Sequence, residues 1–185
     1  MKFLIQVRDL DRQSEYEFRG LNATELNLDK KSSIDFKKID AEVSLNRSSL
    51  GIGADFVVSY SAEFTCMRCL GKFTRTCNSN LHLNYVEGED PYLCVENVEL
   101  TPHEADKVFY HGPQIDLSIG IREAIVFSLP ITPLCRDDCP GLCPVCGIDL
   151  NTRRCSCKGE QDGFFTAAAT ENKKTTARKI KRNRK

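Results

Sequence analysis

Eight of the ten cysteines in this 185-residue chain fall at spacings that suit metal ligands. Upstream stands Cys66-Met67-Arg68-Cys69. A later block reads Leu134-Cys135-Arg-Asp-Asp-Cys139-Pro-Gly-Leu-Cys143-Pro-Val-Cys146-Gly147 and closes with Cys155-Ser-Cys157. A Cys-x2-Cys pair presents two thiolates to one ion from a single tight turn, at Zn–S distances near about 2.3 Å. Gly147 directly follows Cys146, and Gly71 follows Cys69 by two positions. Glycine there lets the backbone fold back and aim N–H groups at the sulfurs, spreading their negative charge.

Eight such ligands make two four-ligand zinc sites. The short gap before Cys155 suits a ribbon-like site built from Cys143, Cys146, Cys155 and Cys157. Cys66 and Cys69 then meet Cys135 and Cys139, closing a long loop whose entropic cost grows only slowly with its length. The rival arrangement is one zinc held by Cys66, Cys69, Cys143 and Cys146, with the other cysteines free. Cys77 and Cys94 stand apart, and Cys77 reads as a small hydrophobe on the apolar side of a strand.

The expected role of the metal is structural. Catalytic zinc keeps an open position, usually enlists His or Glu, and works beside a general base. His82, His103 and His111 all lie outside the cysteine block, and none forms a His-x-Glu or His-Glu-x-x-His pattern. A thiol-disulfide oxidoreductase would place its Cys-x2-Cys at the start of a helix in a βαβ unit. The strand-like segments around Cys66 and Cys69 argue against that arrangement.

Those flanking segments define the frame. Phe3, Ile5 and Val7 alternate as a first strand. Ile39, Ala41, Val43 and Leu45 alternate with polar residues, and Phe56, Val58, Tyr60, Ala62 and Phe64 supply the next one-faced strand. Arg47 to Gly51 reads as the turn between them. Phe73, Cys77, Leu81, Leu83 and Tyr85 continue after the Cys66–Cys69 loop. The stretch from 87 to 112 is acidic and reads as a solvated loop with a short strand in it. One helix is clear near 116–129: Asp116 is its N-cap, Leu117, Ile121, Ala124, Ile125 and Leu129 share a face, and Pro130 stops it. The expected class is α+β, a mainly antiparallel sheet or small barrel with one principal helix and a cysteine-rich C-terminal block. Residues 1–134 form the core, 135–160 the zinc block packed on it, and 161–185 a flexible basic tail.

Composition narrows the setting. Apolar residues make up 41% and charged residues 28%, as in ordinary soluble domains. The opening apolar run is too short for a signal-peptide core, and no stretch suits a membrane span. A cytoplasmic location follows as the expectation, where thiols stay reduced and disulfides are rare. The formal charge of zero hides an asymmetry. Lys173, Lys174, Arg178, Lys179, Lys181, Arg182, Arg184 and Lys185 stand against Glu171 alone, so residues 170–185 carry +7 and the preceding 169 carry −7. With Arg153 and Arg154, that tail is the expected polyanion-binding end of the chain. Tryptophan is absent, and nothing suggests recognition by base stacking.

The order of motifs adds a resemblance. The Cys66-x-Arg68-Cys69-Leu70 loop, the acidic segment, Gln114-Ile115-Asp116-Leu117 and Leu129-Pro130-Ile131-Thr132-Pro133-Leu134-Cys135 resemble the YceD-type family of large ribosomal RNA subunit accumulation proteins. The run from Asp138 to Gly147, followed by Leu150-Asn151, is similar to that family's cysteine-rich branch. The resemblance covers roughly residues 1–160. It implies a bacterial or organellar, non-enzymatic factor that supports accumulation of large-subunit ribosomal RNA by binding RNA or a precursor particle. Gly163-Phe164-Phe165 and the basic tail depart from the family's usual ending, an Asp-Pro segment and a short Lys-rich helix. Ribosomal proteins or assembly factors are further expected partners, and a zinc-ribbon adaptor between proteins is the alternative function.

Overall fold

The computed structural model describes residues 2–28, 34–93, 99 and 101–157, excluding the side chains of 102 and 103. Its frame is a five-stranded sheet in the order β2-β3-β4-β5-β6, formed by β2 (Gln13–Phe18), β3 (Asp35–Ser48), β4 (Gly51–Thr65), β5 (Lys72–Glu87) and β6 (Lys107–Tyr110). A two-stranded ladder pairs β1 (Leu4–Gln6) with β7 (Gln114–Asp116). A one-turn helix α1 (Pro102–Ala105) precedes β6, and the principal helix α2 (Leu117–Ser128) follows β7. This is the expected α+β class, built as an open sheet with β2 and β6 as its edges.

Strict alternation makes β4 the spine of the core. Ile52, Ala54, Phe56, Val58, Tyr60, Ala62 and Phe64 are each at most 3% exposed. Successive side chains of a strand point to opposite faces, so these seven form one apolar row. Opposite them, Ile39, Ala41, Val43 and Leu45 of β3 and Leu83 and Tyr85 of β5 fill the same face. Helix α2 covers that row with Leu117, Ile121, Ala124 and Ile125, all fully buried.

Both ends of α2 are tied to the sheet. Asp116 caps it by accepting from the Ser118 N–H at 2.9 Å. The buried Tyr85 hydroxyl donates to the Asp116 carbonyl at 3.0 Å, and at the far end Tyr60 Oη and Ser128 Oγ are 2.9 Å apart. The helix therefore runs along β4, and the chain leaving it emerges beside the turn that joins β4 to β5.

The structure departs from the sequence expectations in four places. The first strand stops at Gln6, because Val7–Asp9 turns into a 3-10 helix. The β3–β4 turn is only Ser49 and Leu50, since the ladder continues to Ser48↔Gly51. Gln13–Phe18 forms an additional edge strand. The acidic segment returns as β6 parallel to β5, so the sheet is mixed; α1, capped by Thr101 and Glu104, helps to reverse the chain. Cys94, part of the acidic run including Glu96, and the tail from 158 to 185 lie outside the described residues.

Candidate metal centres

The inward row of β4 runs on past Phe64 to Cys66, which is fully buried. There the strand enters a tight turn. Cys66 N–H donates to the Gly71 carbonyl at 2.9 Å, and Leu70 N–H donates back to the Cys66 carbonyl at 2.9 Å. Leu70 takes the left-handed conformation, with φ 59°. The left-handed position thus falls one residue before Gly71, while the Gly71 N–H is directed at the Cys69 sulfur, the role the sequence reading gives to glycine there.

The segment after α2 docks on this turn. Met67 N–H donates to the Pro133 carbonyl at 2.9 Å, which brings Cys135 alongside. Arg68 then grips the next loop, donating through Nη1 to the carbonyls of Asp137 at 3.2 Å and Cys139 at 3.0 Å. Leu142 N–H donates to the Arg68 carbonyl at 3.0 Å. Gly141, at φ +75°, lies so close that a Cβ there would sit 2.8 Å from that carbonyl oxygen. The sulfurs of Cys66, Cys69, Cys135 and Cys139 all fall within 4.8 Å of one another.

The second group forms within the C-terminal block. Cys143 N–H donates to the Ile148 carbonyl and Gly147 N–H to the Cys143 carbonyl, both at 2.8 Å, and Gly147 adopts φ +70°. Leu142 and Asp149 pair as an isolated bridge. The Asp149 carbonyl accepts from the N–H groups of Thr152 and Arg153 at 3.3 and 3.0 Å, turning the chain back towards Cys155. The sulfurs of Cys143, Cys146, Cys155 and Cys157 also lie within 4.8 Å of one another. In this group Cys146 and Cys157 are exposed; in the first, Cys66 and Cys139 are buried.

Both groups have the geometry of a tetrathiolate site. A tetrahedron with arms near 2.3 Å has sulfur–sulfur edges of about 3.8 Å. The Cys66–Cys139 and Cys69–Cys135 pairs stand at 3.9 and 3.8 Å, and Cys143–Cys155 at 3.4 Å. A disulfide would need about 2.05 Å, so the cysteines are free thiols.

Electrostatics point the same way. Burial opposes ionisation of Cys66, yet the N–H groups of Cys135, Cys69 and Arg68 bring its thiol down to about 6. Burial and the neighbouring thiols push Cys135 up to about 12. In the second group the N–H groups of Cys146 and Val145 bring Cys143 down to about 6. The Cys146 sulfur, together with burial, pushes Cys157 up to about 12. Crowded thiolates repel one another unless a cation sits between them, and each of these two sets could hold one.

The structure therefore groups the eight block and loop cysteines as two fours and keeps Cys143 and Cys146 apart from Cys66 and Cys69. Neither group contains a histidine. His82 instead pairs with Asp55, Nδ1 to Oδ1 at 2.7 Å. Cys77 is half-buried against the core. Arg153 and Arg154 are exposed on the loop leading to Cys155, while Lys173, Lys174, Arg178, Lys179, Lys181, Arg182, Arg184 and Lys185 lie outside the described residues. Asn151 has no place in the sequence reading of the site, yet its amide touches the Cys139 sulfur at 3.4 Å. The adjacent Leu150-Asn151 motif was the available signal.

Fold and site together define a β-sheet protein with two cysteine tetrads that could each hold a metal ion. The chain belongs to the YceD family: the family model described as large ribosomal RNA subunit accumulation protein YceD matches residues 54–167, a span that contains both tetrads. An uncharacterized protein of Mycobacterium tuberculosis is 56% identical over 36 residues, 20% of this chain and 17% of its own length. The chloroplastic large ribosomal RNA subunit accumulation protein YCED homolog 1 of Arabidopsis thaliana is 40% identical over 48 residues, 26% of this chain and 15% of its own. The Zea mays protein of the same description is 41% identical over 46 residues, 24% of this chain and 16% of its own. The chain thus matches only about a sixth of the length of these relatives. No solved structure gives a significant match. Among the described residues, no helix is long and apolar enough to cross a membrane.

Proposed function

We propose that the chain is a non-enzymatic zinc-binding factor in ribosome biogenesis, supporting accumulation or processing of large-subunit ribosomal RNA. The observation that carries this reading is the family match, whose span includes all eight paired cysteines. Zinc is the metal assigned because four thiolates at tetrahedral spacing suit it, and with four protein ligands its coordination is closed. Bound there, zinc supplies cross-linking and charge neutralisation. In the first site it joins the β4–β5 turn to the segment after α2, so the described parts of the core and of the cysteine block act as one rigid unit.

Binding to RNA or to a precursor particle follows from where charge is available. Each zinc with four thiolates carries −2, so the acidic body becomes more negative and disfavours a broad groove for the RNA phosphate backbone. Contacts to phosphate are assigned to Arg153, Arg154 and the eight cations of the 170–185 tail. Such contacts position a protein on RNA without specifying sequence, so selectivity for the large subunit rests with the shape of the body or with a ribosomal protein or assembly factor beside it. The reading places the protein in the cytoplasm, at the ribosome.

The test is cross-linking of the full-length protein in its own cells, followed by sequencing of the attached RNA and quantification of both ribosomal RNAs after depletion. Enrichment of large-subunit or precursor sequence, with selective loss of large-subunit RNA on depletion, is expected. Loss of large-subunit RNA without any cross-link would instead favour the protein adaptor.

A further inference from the structure

Asn151 belongs to the loop of the second tetrad but bonds to a ligand of the first. Its Nδ2 donates to Cys139 Sγ at 3.4 Å and to Asp149 Oδ1 at 2.7 Å. A primary amide has two N–H protons, and these two acceptors use both. The opposite orientation would set the amide oxygen against a carboxylate and a thiolate, so the chemistry fixes which end faces the sulfur. The orientation is held against a penalty: Oδ1 is buried and accepts no hydrogen bond from any described residue. A buried acceptor without a partner is costly, so the surrounding loop must hold the amide in place.

That loop is shaped by the second tetrad. Asp149, which accepts from both the side chain and the backbone N–H of Asn151, pairs with Leu142 beside Cys143. Leu150 N–H donates to the Gly141 carbonyl at 3.0 Å. Cys146 and Cys155 stand at the two ends of the loop, both grouped with Cys143 and Cys157 in the second tetrad.

We infer that Asn151 couples the two metal sites: an ion in the second tetrad orders the 147–154 loop, and the ordered Asn151 amide raises the metal affinity of the first. Hydrogen bonds to a metal-bound thiolate disperse its charge, and removing such outer partners typically weakens metal binding by about 10–100-fold. Coupling of this kind is reciprocal, so an ion in the first site strengthens the second by the same factor. An ion in either site therefore favours an ion in the other.

The inference rests on the metal reading of the tetrads, and cadmium-113 NMR separates the two. The probe is the full chain loaded with cadmium-113 and titrated with a competing chelator. The resonance that survives in Cys155→Ser/Cys157→Ser belongs to the first site. In that double variant the first site should release its ion at roughly tenfold lower chelator concentration than in the unmodified chain. Asn151→Ala should bind two ions yet show a similar loss at the first site. Asn151→Asp, similar in size but with a carboxylate oxygen facing the sulfur, should lose more. Adding Asn151→Ala to the double cysteine variant should produce no further loss. First-site affinity unchanged in the double cysteine variant, unchanged in Asn151→Asp, or reduced additively in the combined variant would overturn the coupling. Absence of any thiolate-bound cadmium signal would overturn the metal reading itself.

Discussion

Gly120 of α2 lies directly over the ring of Phe56 in β4, so close that a Cβ on Gly120 would sit 2.2 Å from the ring carbon Cζ. Glycine inside a helix costs about 1 kcal/mol relative to alanine, so something must repay that choice. Here it is the distance between helix and sheet. Phe56 is 1% exposed and has nowhere to move. Gly120→Ala should destabilise the protein by about 1–3 kcal/mol through overpacking, read as a lower urea midpoint with an unchanged slope. Phe56→Leu should recover part of the loss when combined with it. A gain of about 1 kcal/mol, as helix propensity alone predicts, would show that the contact is loose.

A second prediction concerns acid. Lys38 Nζ lies 2.8 Å from Asp40 Oδ2, and the Gly20 N–H donates to Asp40 Oδ1 at 2.9 Å. The ammonium of Lys38 first, and the Gly20 N–H second, hold the Asp40 carboxyl below its ordinary range. A carboxyl lowered on folding adds stability that is present above its unfolded value, about 3.9, and is lost as pH falls through the folded value. Asp40→Asn should therefore cost about 1 kcal/mol at neutral pH. The difference between the two proteins should shrink below roughly pH 4. Acid release of metal affects both proteins alike, so the comparison isolates Asp40. A difference that stays constant from pH 7 to pH 3 would remove the carboxylate from the account.

The basic tail supplies a third. If six of its eight cations neutralise phosphates on single-stranded RNA, the log–log dependence of affinity on salt should have a slope of about −4, from roughly −0.7 per contact. Deleting residues 170–185 should flatten most of that slope and weaken binding to unrelated RNAs about equally. Any preference for ribosomal RNA should persist. Filter binding across a salt series measures both, and an unchanged slope after truncation would assign the tail no phosphate contacts.

Much of this could be read from the chain because its signals are local. The alternation through Phe56, Val58, Tyr60, Ala62 and Phe64 is the core row itself, and Asp116 caps the helix where its side chain can reach the next N–H. The cysteine spacings contained the two groups of four, since a short gap favours a local site and leaves the distant pairs to each other. What could not be read depends on partners far apart in sequence. Gln13–Phe18 is a strand because β3 extends past it, and four of its own six residues are polar. The three-residue β1 finds its strand partner in β7, more than a hundred positions later. A short strand is expected within the acidic segment, but its parallel pairing with β5 is set by its partner and cannot be read from its own composition. Gly120 looks like a weak point in its helix until Phe56 is placed beneath it. Asn151 reads as an ordinary loop residue until the fold brings Cys139 to its amide.

Under the proposed function the two tetrads are separate zinc sites, one joining the sheet to the chain beyond α2 and one local to the C-terminal block. Native mass spectrometry of the full chain, and of Cys69→Ser and Cys143→Ser, tests it most directly. The unmodified chain should carry two zinc ions and each variant one. Structural zinc contributes on the order of 10 kcal/mol to folding of small domains. Cys69→Ser should therefore also loosen the β4–β5 turn in hydrogen exchange, whereas Cys143→Ser should leave it protected. A single zinc in the unmodified chain, abolished by either substitution, would contradict the account and establish one site shared by Cys66, Cys69, Cys143 and Cys146.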